Sequence, residues 1–337
     1  MKVPADKFLL VLLVSINIFS MAVNADTLDD IRTRGFLRCG ITENTPGFSI
    51  INDAGEREGF FIEQCKTISA AIFGKFSIEY VPLTPNTAFV TLQAGGVDVF
   101  AAGATWTFIR DTSMGLNFTG VSYYAGQGFL VRKNANVSSV SDLDGATICI
   151  TQGSTNEQNL SDYFILNKLT FTPVTFADMK QALDAYEAER CDAVTNERIS
   201  LAVRKKTLEN PEEHLIMKDM ISKEPVGAVV RHGDDRWLDI IVWSFNVRIA
   251  AEELGINQAN VEQLRKNSKN PEVQRLLGLS GNFGLNLGLS NDWAYQIIKR
   301  VGNYGDIWDR IFTPMGLERG LNDLWSRGGL LSALPFR

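Results

Sequence analysis

Thr105, Thr107 and Arg110 stand close together just after a short apolar run, Asp98-Val-Phe-Ala-Ala-Gly-Ala-Thr105. Arginine presents a planar fork of donors that fits a carboxylate through two parallel hydrogen bonds. A threonine hydroxyl beside it adds a neutral donor. The residues before Thr105 are small, with Gly103 among them, so a ligand group has room to approach the backbone. A strand tip of this make-up is a candidate carboxylate socket. The competing reading is a surface arginine paired with its neighbour Asp111.

A second anion-compatible turn follows at 151–157, Thr-Gln-Gly153-Ser154-Thr155-Asn-Glu157. Gly153 permits a tight turn, and Ser154 with Glu157 has the spacing of a capping box. Free backbone N–H groups at a helix start favour an anion. An ordinary capped helix carries the same pattern, but two such tips facing across a cleft could grip one carboxylate. An α-ammonium would then need an acid. Glu197, ending the run Asp192-Ala-Val-Thr-Asn-Glu197, supplies one, although a solvated helix-start acid beside Arg198 has the same appearance.

The elements that position these residues are read from the hydrophobic pattern. Strands are expected at 36–41, 78–82 and 97–101, with helices at 59–73 and 87–94. The pattern repeats as strands at 147–151, 172–174 and 191–195, with helices at 155–166, 177–189 and 199–206. Short apolar runs alternating with helical pattern predict parallel α/β sheets, whose ligands bind at the carboxyl ends of the strands. Residues 120–131 and 222–231 read as crossings between two lobes. The first lobe is then discontinuous, and a helix from about 235 to 254 packs back on it. Two crossings make a hinge, and a hinge makes a closing cleft.

Composition narrows the function. The chain has 337 residues, 45% hydrophobic and 21% charged, enough for two domains with cores of their own. A net charge of −6 without a basic cluster argues against a nucleic-acid partner. His214 and His232 lie outside any metal-ligand spacing, and neither a phosphate loop nor a nucleophile elbow is present, so no metal, cofactor or catalytic residue is expected. The first 25 residues read as a secretory leader: Lys2 and Lys7, a short apolar run, then Val23-Asn24-Ala25, with cleavage after Ala25. That run is too short to span a bilayer, for which ~20 residues are needed. Export gives the four cysteines a meaning. Each neighbouring pair falls within one local α/β unit, so Cys39–Cys65 and Cys149–Cys191 are expected among three possible connectivities, against the alternative of four buried thiols.

Over the whole exported chain, the sequence resembles the periplasmic amino-acid-binding proteins of ABC importers, most closely the general L-amino-acid-binding group of solute-binding protein family 3. The resemblance rests on Gly47-Phe48-Ser49, Thr105-Trp-Thr107, Arg110-Asp-Thr-Ser, Gly115-Leu-Asn-Phe, Tyr123-Tyr124, Gly126-Gln-Gly-Phe, Ile221-Ser-Lys-Glu-Pro and Asn291-Asp-Trp-Ala-Tyr, with a C-terminal extension at about 276–305. It implies a two-lobed type II binding fold with one cysteine pair per lobe. It also implies that Arg110 and Thr105 hold the ligand α-carboxylate from the first lobe and Thr155, with the Gly153–Ser154 turn, from the second. Phe48 would pack on the ligand, and Glu197 stands where the family usually places an Asp for the α-ammonium. The chain departs from the pattern at six positions: Glu197 is one methylene longer, Ala102-Gly103-Ala104 replaces an Arg-Asn-Thr run, Ala88 replaces a basic residue, and Phe61 an acid.

The expectation is therefore a leader at 1–25, a first lobe at 26–125, a second at 126–227, and at 228–337 a return to the first lobe plus the extension. The protein captures a neutral amino acid in the periplasm as a monomer and delivers it to an ABC permease in the inner membrane; it is not an enzyme. Alternatives are a periplasmic dehydratase-like enzyme on the same fold, a sensor role, or a changed, non-amino-acid ligand.

Overall fold

Strands buried on both faces read as apolar runs, and the computed structural model, which describes residues 26–337, gathers them into two sheets. The expected leader and its cleavage point lie outside the described residues. In the first sheet the strands run in the order Ile78–Pro82, Leu37–Ile41, Val99–Thr105, Glu224–Arg231, Leu116–Phe118, with Tyr123–Ala125 also paired to Glu224–Arg231. In the second the order is Phe171–Phe176, Ala146–Thr151, Ala193–Glu197, Gln127–Arg132, His214–Ile216. Each sheet begins with three parallel strands and continues with an antiparallel one. The two sheets share one plan. After the first strand of each trio the chain moves outward to one side, then returns to the other. That reversal opens a crevice at the carboxyl ends of the strands.

The alternation of side chains along the second sheet divides its core in two. Leu130, Cys149 and Val194 pack on one face, and Phe129, Val131, Ile148, Ile150 and Ala193 on the other. The first sheet shares a larger core with the C-terminal helices. There the Trp293–Arg300 helix packs on Phe60–Phe73 and on Asp235–Glu253, burying Trp237 and Trp308. Cys39 on the first strand pairs with Cys65 on the helix that follows it, and Cys149 with Cys191. Each bridge closes a loop within one sheet's own unit, which stabilises by about 3–4 kcal/mol in the chain-entropy model.

The chain passes from the first sheet to the second between Ala125 and Gln127, and is back in the first at Glu224. Glu224 is the register partner of Ala125, and the Gln127 N–H donates to Ser222 Oγ at 3.1 Å. The two crossings thus lie side by side as a narrow hinge. The C-terminal segment braces it: the Asn322 side chain accepts from the Tyr124 N–H at 2.6 Å and donates to the Tyr124 carbonyl at 3.0 Å.

Several boundaries differ from the sequence reading. The strand expected at 97–101 runs Val99–Thr105 because Glu224–Arg231 pairs alongside it, Val226 with Thr105 and Gly227 with Ala104. The small residues are therefore strand rather than turn. The strand expected at 191–195 runs Ala193–Glu197, since Gln127 pairs with Glu197. Both shifts come from antiparallel partners distant in sequence.

Candidate functional site

All six parallel strand ends open on one cavity of about 360 Å³ between the sheets. From the first sheet come the segments after Ile41, at Pro82–Thr87 and around Thr105. From the second come Ser154–Asn156, Asp178–Lys180 and Asn196–Glu197.

Arg110 sits on the short Phe108–Ser113 helix. Thr107 caps that helix, its hydroxyl accepting the Arg110 N–H at 3.3 Å, so it orients Arg110 and is not on the cavity wall. The Arg110 guanidinium donates to the Thr105 carbonyl at 3.0 Å and lies 5.0 Å from the Phe89 ring centre. Among the described residues it makes no ion pair with Asp111. Burial draws its pKa down, and the negative charges of Glu224 and Glu197 oppose that. A half-buried guanidinium facing a cavity with fork positions open is suited to an incoming carboxylate.

Thr105 meets Thr155 across the cleft, Oγ1 to Oγ1, at 3.2 Å. Thr155 begins the Thr155–Leu166 helix, whose positive end adds to the field at this point. The anticipated capping box is absent. The Ser154 hydroxyl turns back to the Thr151 carbonyl at 2.7 Å, and Glu157 accepts from the Gly153 N–H at 3.1 Å. Gly153 itself is not on the cavity wall. Its φ is +71°, and a Cβ there would lie 2.0 Å from Asn86 Oδ1 of the first lobe, so the lobes touch where glycine leaves space.

Glu197 lines the cavity and accepts from the Tyr123 hydroxyl at 2.8 Å. Burial, chiefly, pushes its pKa up to about 7; the Tyr123 hydrogen bond lowers it, nearby Glu224 raises it, and Arg110 lowers it. Phe48 and Gly103 are also on the wall. Phe48 packs 4.9 Å from Phe61 and 5.6 Å from Tyr123, ring centre to ring centre. Gly103 has φ +39°, and a Cβ would lie 2.8 Å from Phe61, which excludes larger residues.

Sequence reasoning passed over three polar groups here. Tyr123 carries no site role in the sequence pattern, only a place in the 120–131 crossing and in the family resemblance. Glu224, almost fully buried, accepts from Asn159 Nδ2 at 2.6 Å and Ser222 Oγ at 2.7 Å, and lies 3.3 Å from Thr155 Oγ1. Its signal was a lone acid heading an otherwise apolar strand, Glu-Pro-Val-Gly-Ala-Val-Val-Arg. Arg204 lies in the last turn of the Arg198–Lys205 helix, beside Lys205, and nothing in the sequence sets it apart from that neighbour.

The chain matches the bacterial extracellular solute-binding proteins, family 3, over residues 37–255. It belongs to that family. The glutamate/glutamine/aspartate/asparagine-binding protein BztA of Rhodobacter capsulatus is 46% identical over 320 residues, covering 94% of this chain and 95% of its own. The general L-amino acid-binding periplasmic protein AapJ of Rhizobium johnstonii is 45% identical over 322 residues, covering 94% of each. A solved ABC transporter / periplasmic binding protein from Brucella ovis with glutathione bound is 44% identical and superposes with a TM-score of 0.90, over 93% of this chain and 100% of that one. The architecture is the two-lobed type II solute-binding fold.

Proposed function

We propose that this protein captures an α-amino acid, or a small molecule ending in one, in the cleft and delivers it to an ABC importer. The observation that carries this reading is the meeting of both lobes at one point: Thr105 and Thr155 are in contact, Arg110 lies beside them, and Glu197 lines the same cavity. In this reading the Arg110 fork and the two hydroxyls hold the α-carboxylate, and Glu197 takes the α-ammonium. Only the closed form offers both half-sites, so ligand binding favours closure. The names of BztA and AapJ, and the glutathione in the Brucella ovis structure, agree with a ligand of this chemistry. The names of these relatives agree with a periplasmic protein. We further propose that it acts as a non-catalytic monomer, with a leader ending at Ala25, a first lobe at 26–125, a second at 126–227, and at 228–337 a return to the first lobe plus the C-terminal extension.

One observation favours an enzyme instead. A carboxyl with a pKa near 7 inside a cleft suits general acid–base work. Against it, the Tyr123 hydroxyl and the field of Arg110 both favour the ionised form of Glu197, which an ammonium partner would favour further. Calorimetric titration of the exported protein with the L-amino acids and glutathione decides. One-to-one binding without consumption of ligand supports capture. Failure of every α-amino compound to bind, or its conversion to product, overturns it.

A further inference from the structure

We propose that the cleft carries a second anion subsite, built on Arg204, and that the ligand therefore bears a second carboxylate. The inference rests on the reading of the cleft as an α-amino-acid site and specifies its substrate class.

Arg204 is 5% exposed and lines the cavity. Among the described residues its only side-chain partners are hydroxyls. Nε donates to Ser200 Oγ at 3.3 Å, one turn earlier on the same helix, and Nη2 donates to Thr45 Oγ1 at 3.2 Å. Among the described residues no carboxylate lies within 4.0 Å of the guanidinium. A buried charge without a counter-charge is costly, and a ligand carboxylate would supply the missing partner. Burial draws the Arg204 pKa down to about 10, with Asp178 alone opposing.

The acids on this wall are committed elsewhere. Glu43 is ion-paired with Arg57 at 2.6 Å, and Asp178 caps the Met179–Glu187 helix by accepting the Gln181 N–H at 2.9 Å. Glu197 and Glu224 act on Arg110 and are not felt at Arg204. The two guanidiniums thus belong to separate electrostatic neighbourhoods within one cavity. The remaining cation on the wall, Lys180, is paired with Asp184 at 2.7 Å. Arg204 is the group left for an anion from the ligand.

Thr45 belongs to the first lobe and Arg204 to the second. A carboxylate bound between them would be held from both lobes, as at the Arg110 end, and would add to closure. The expectation of a neutral ligand rested on Ala88 and on Ala102 to Ala104, which remove polar groups from one wall. Arg204 places a charge on another.

Two sources share this chemistry: an acidic amino acid, and a small γ-glutamyl peptide whose distal carboxylate is farther away. Isothermal titration of the exported protein with glutamate, glutamine, glutathione and glutathione amidated at its glycyl carboxylate separates them. Each acid is expected to bind at least about tenfold tighter than its amide where it fits, and the tighter acid identifies the source. Arg204→Met removes the charge and is expected to erase that preference, weakening the acid at least about tenfold more than its amide. Equal binding of acid and amide by the native protein, which needs no variant, overturns the inference and leaves the α-amino site standing. A preference that survives Arg204→Met overturns it too. Failure of all four ligands to bind while another L-amino acid binds overturns this inference and leaves the amino-acid reading standing; failure of every L-amino acid as well overturns both.

Discussion

At one end of the cleft, Arg110 and Thr105 of the first lobe face Thr155 of the second; at the other, Arg204 of the second lobe faces Thr45 of the first. Each end sets a guanidinium on one lobe against a hydroxyl on the other, and the lobes exchange parts between ends. The electrostatic settings differ. Arg110 lies in the field of two acids, Glu197 and Glu224, so a carboxylate arriving there meets repulsion unless an ammonium comes with it. Arg204 lies in the field of Asp178 alone. The Arg110 end is therefore suited to a zwitterion and the Arg204 end to a plain anion. The comparison teaches that the polarity of a ligand can be read from the acids whose field reaches each guanidinium.

The largest effect is expected at the Arg110 end. Arg110→Ala removes the carboxylate anchor and should cost about 2–5 kcal/mol of binding, thirty- to several-thousand-fold, with little loss of fold stability. Arg110→Lys should fall between, because lysine lacks the planar fork. Titration calorimetry reads both. An unchanged affinity in Arg110→Ala would return this residue to a surface role and leave Arg204 as the sole anchor.

A smaller effect is expected where the lobes touch. Gly153→Ala places a Cβ against Asn86 in the closed form and strains a residue at φ +71°. We expect roughly 1–2 kcal/mol weaker binding. Adding Asn86→Ala should recover the steric part and leave the backbone part. If the double variant binds no better than the single one, contact with Asn86 does not limit closure.

The pH dependence sharpens the contrast between a zwitterion end and an anion end. The folded-state pKa of Glu197 is raised from 4.5 to about 7. In the ligand-free protein its stabilising contribution is therefore complete below about 4.5 and is lost as pH rises toward 7. A bound ammonium reverses the preference, favouring the carboxylate and releasing a proton. Affinity for an α-amino ligand should then rise with pH up to about 7, by at most about tenfold per unit, and level off above. The deaminated analogue should show no such rise, and Glu197→Gln should remove it. A flat profile for the amino ligand would mean that another group holds the ammonium.

The two ends also differ in how plainly the sequence announces them. Thr105, Thr107 and Arg110 are contiguous because a strand end and the helix after it are contiguous, so local spacing carried the chemistry. Thr155 was legible for the same reason. Arg204 and Thr45 lie 159 residues apart, and only closure of the lobes joins them. On its helix, Arg204 precedes Lys205 and Lys206, and nothing in that basic run distinguishes the buried one. Glu224 was hidden because its value depends on the hinge, where it pairs with Ala125. The parallel strands were legible as apolar runs; Ile78–Pro82 and the Thr155–Leu166 helix fall on the expected residues. The short antiparallel strands Leu116–Phe118 and His214–Ile216 were not, since their pairing is set by neighbours distant in the chain.

The central claim is that both lobes hold one carboxylate at the Thr105–Thr155 contact. A double-mutant cycle on ligand affinity tests it most directly, using Thr105→Val, Thr155→Val and the pair in calorimetric titrations with the tightest α-amino ligand. If both hydroxyls serve the same bound group in the closed cleft, the losses are coupled, with an interaction energy of about 0.5–3 kcal/mol. Losses that simply add would show that the two lobes bind the ligand independently, and would contradict the account.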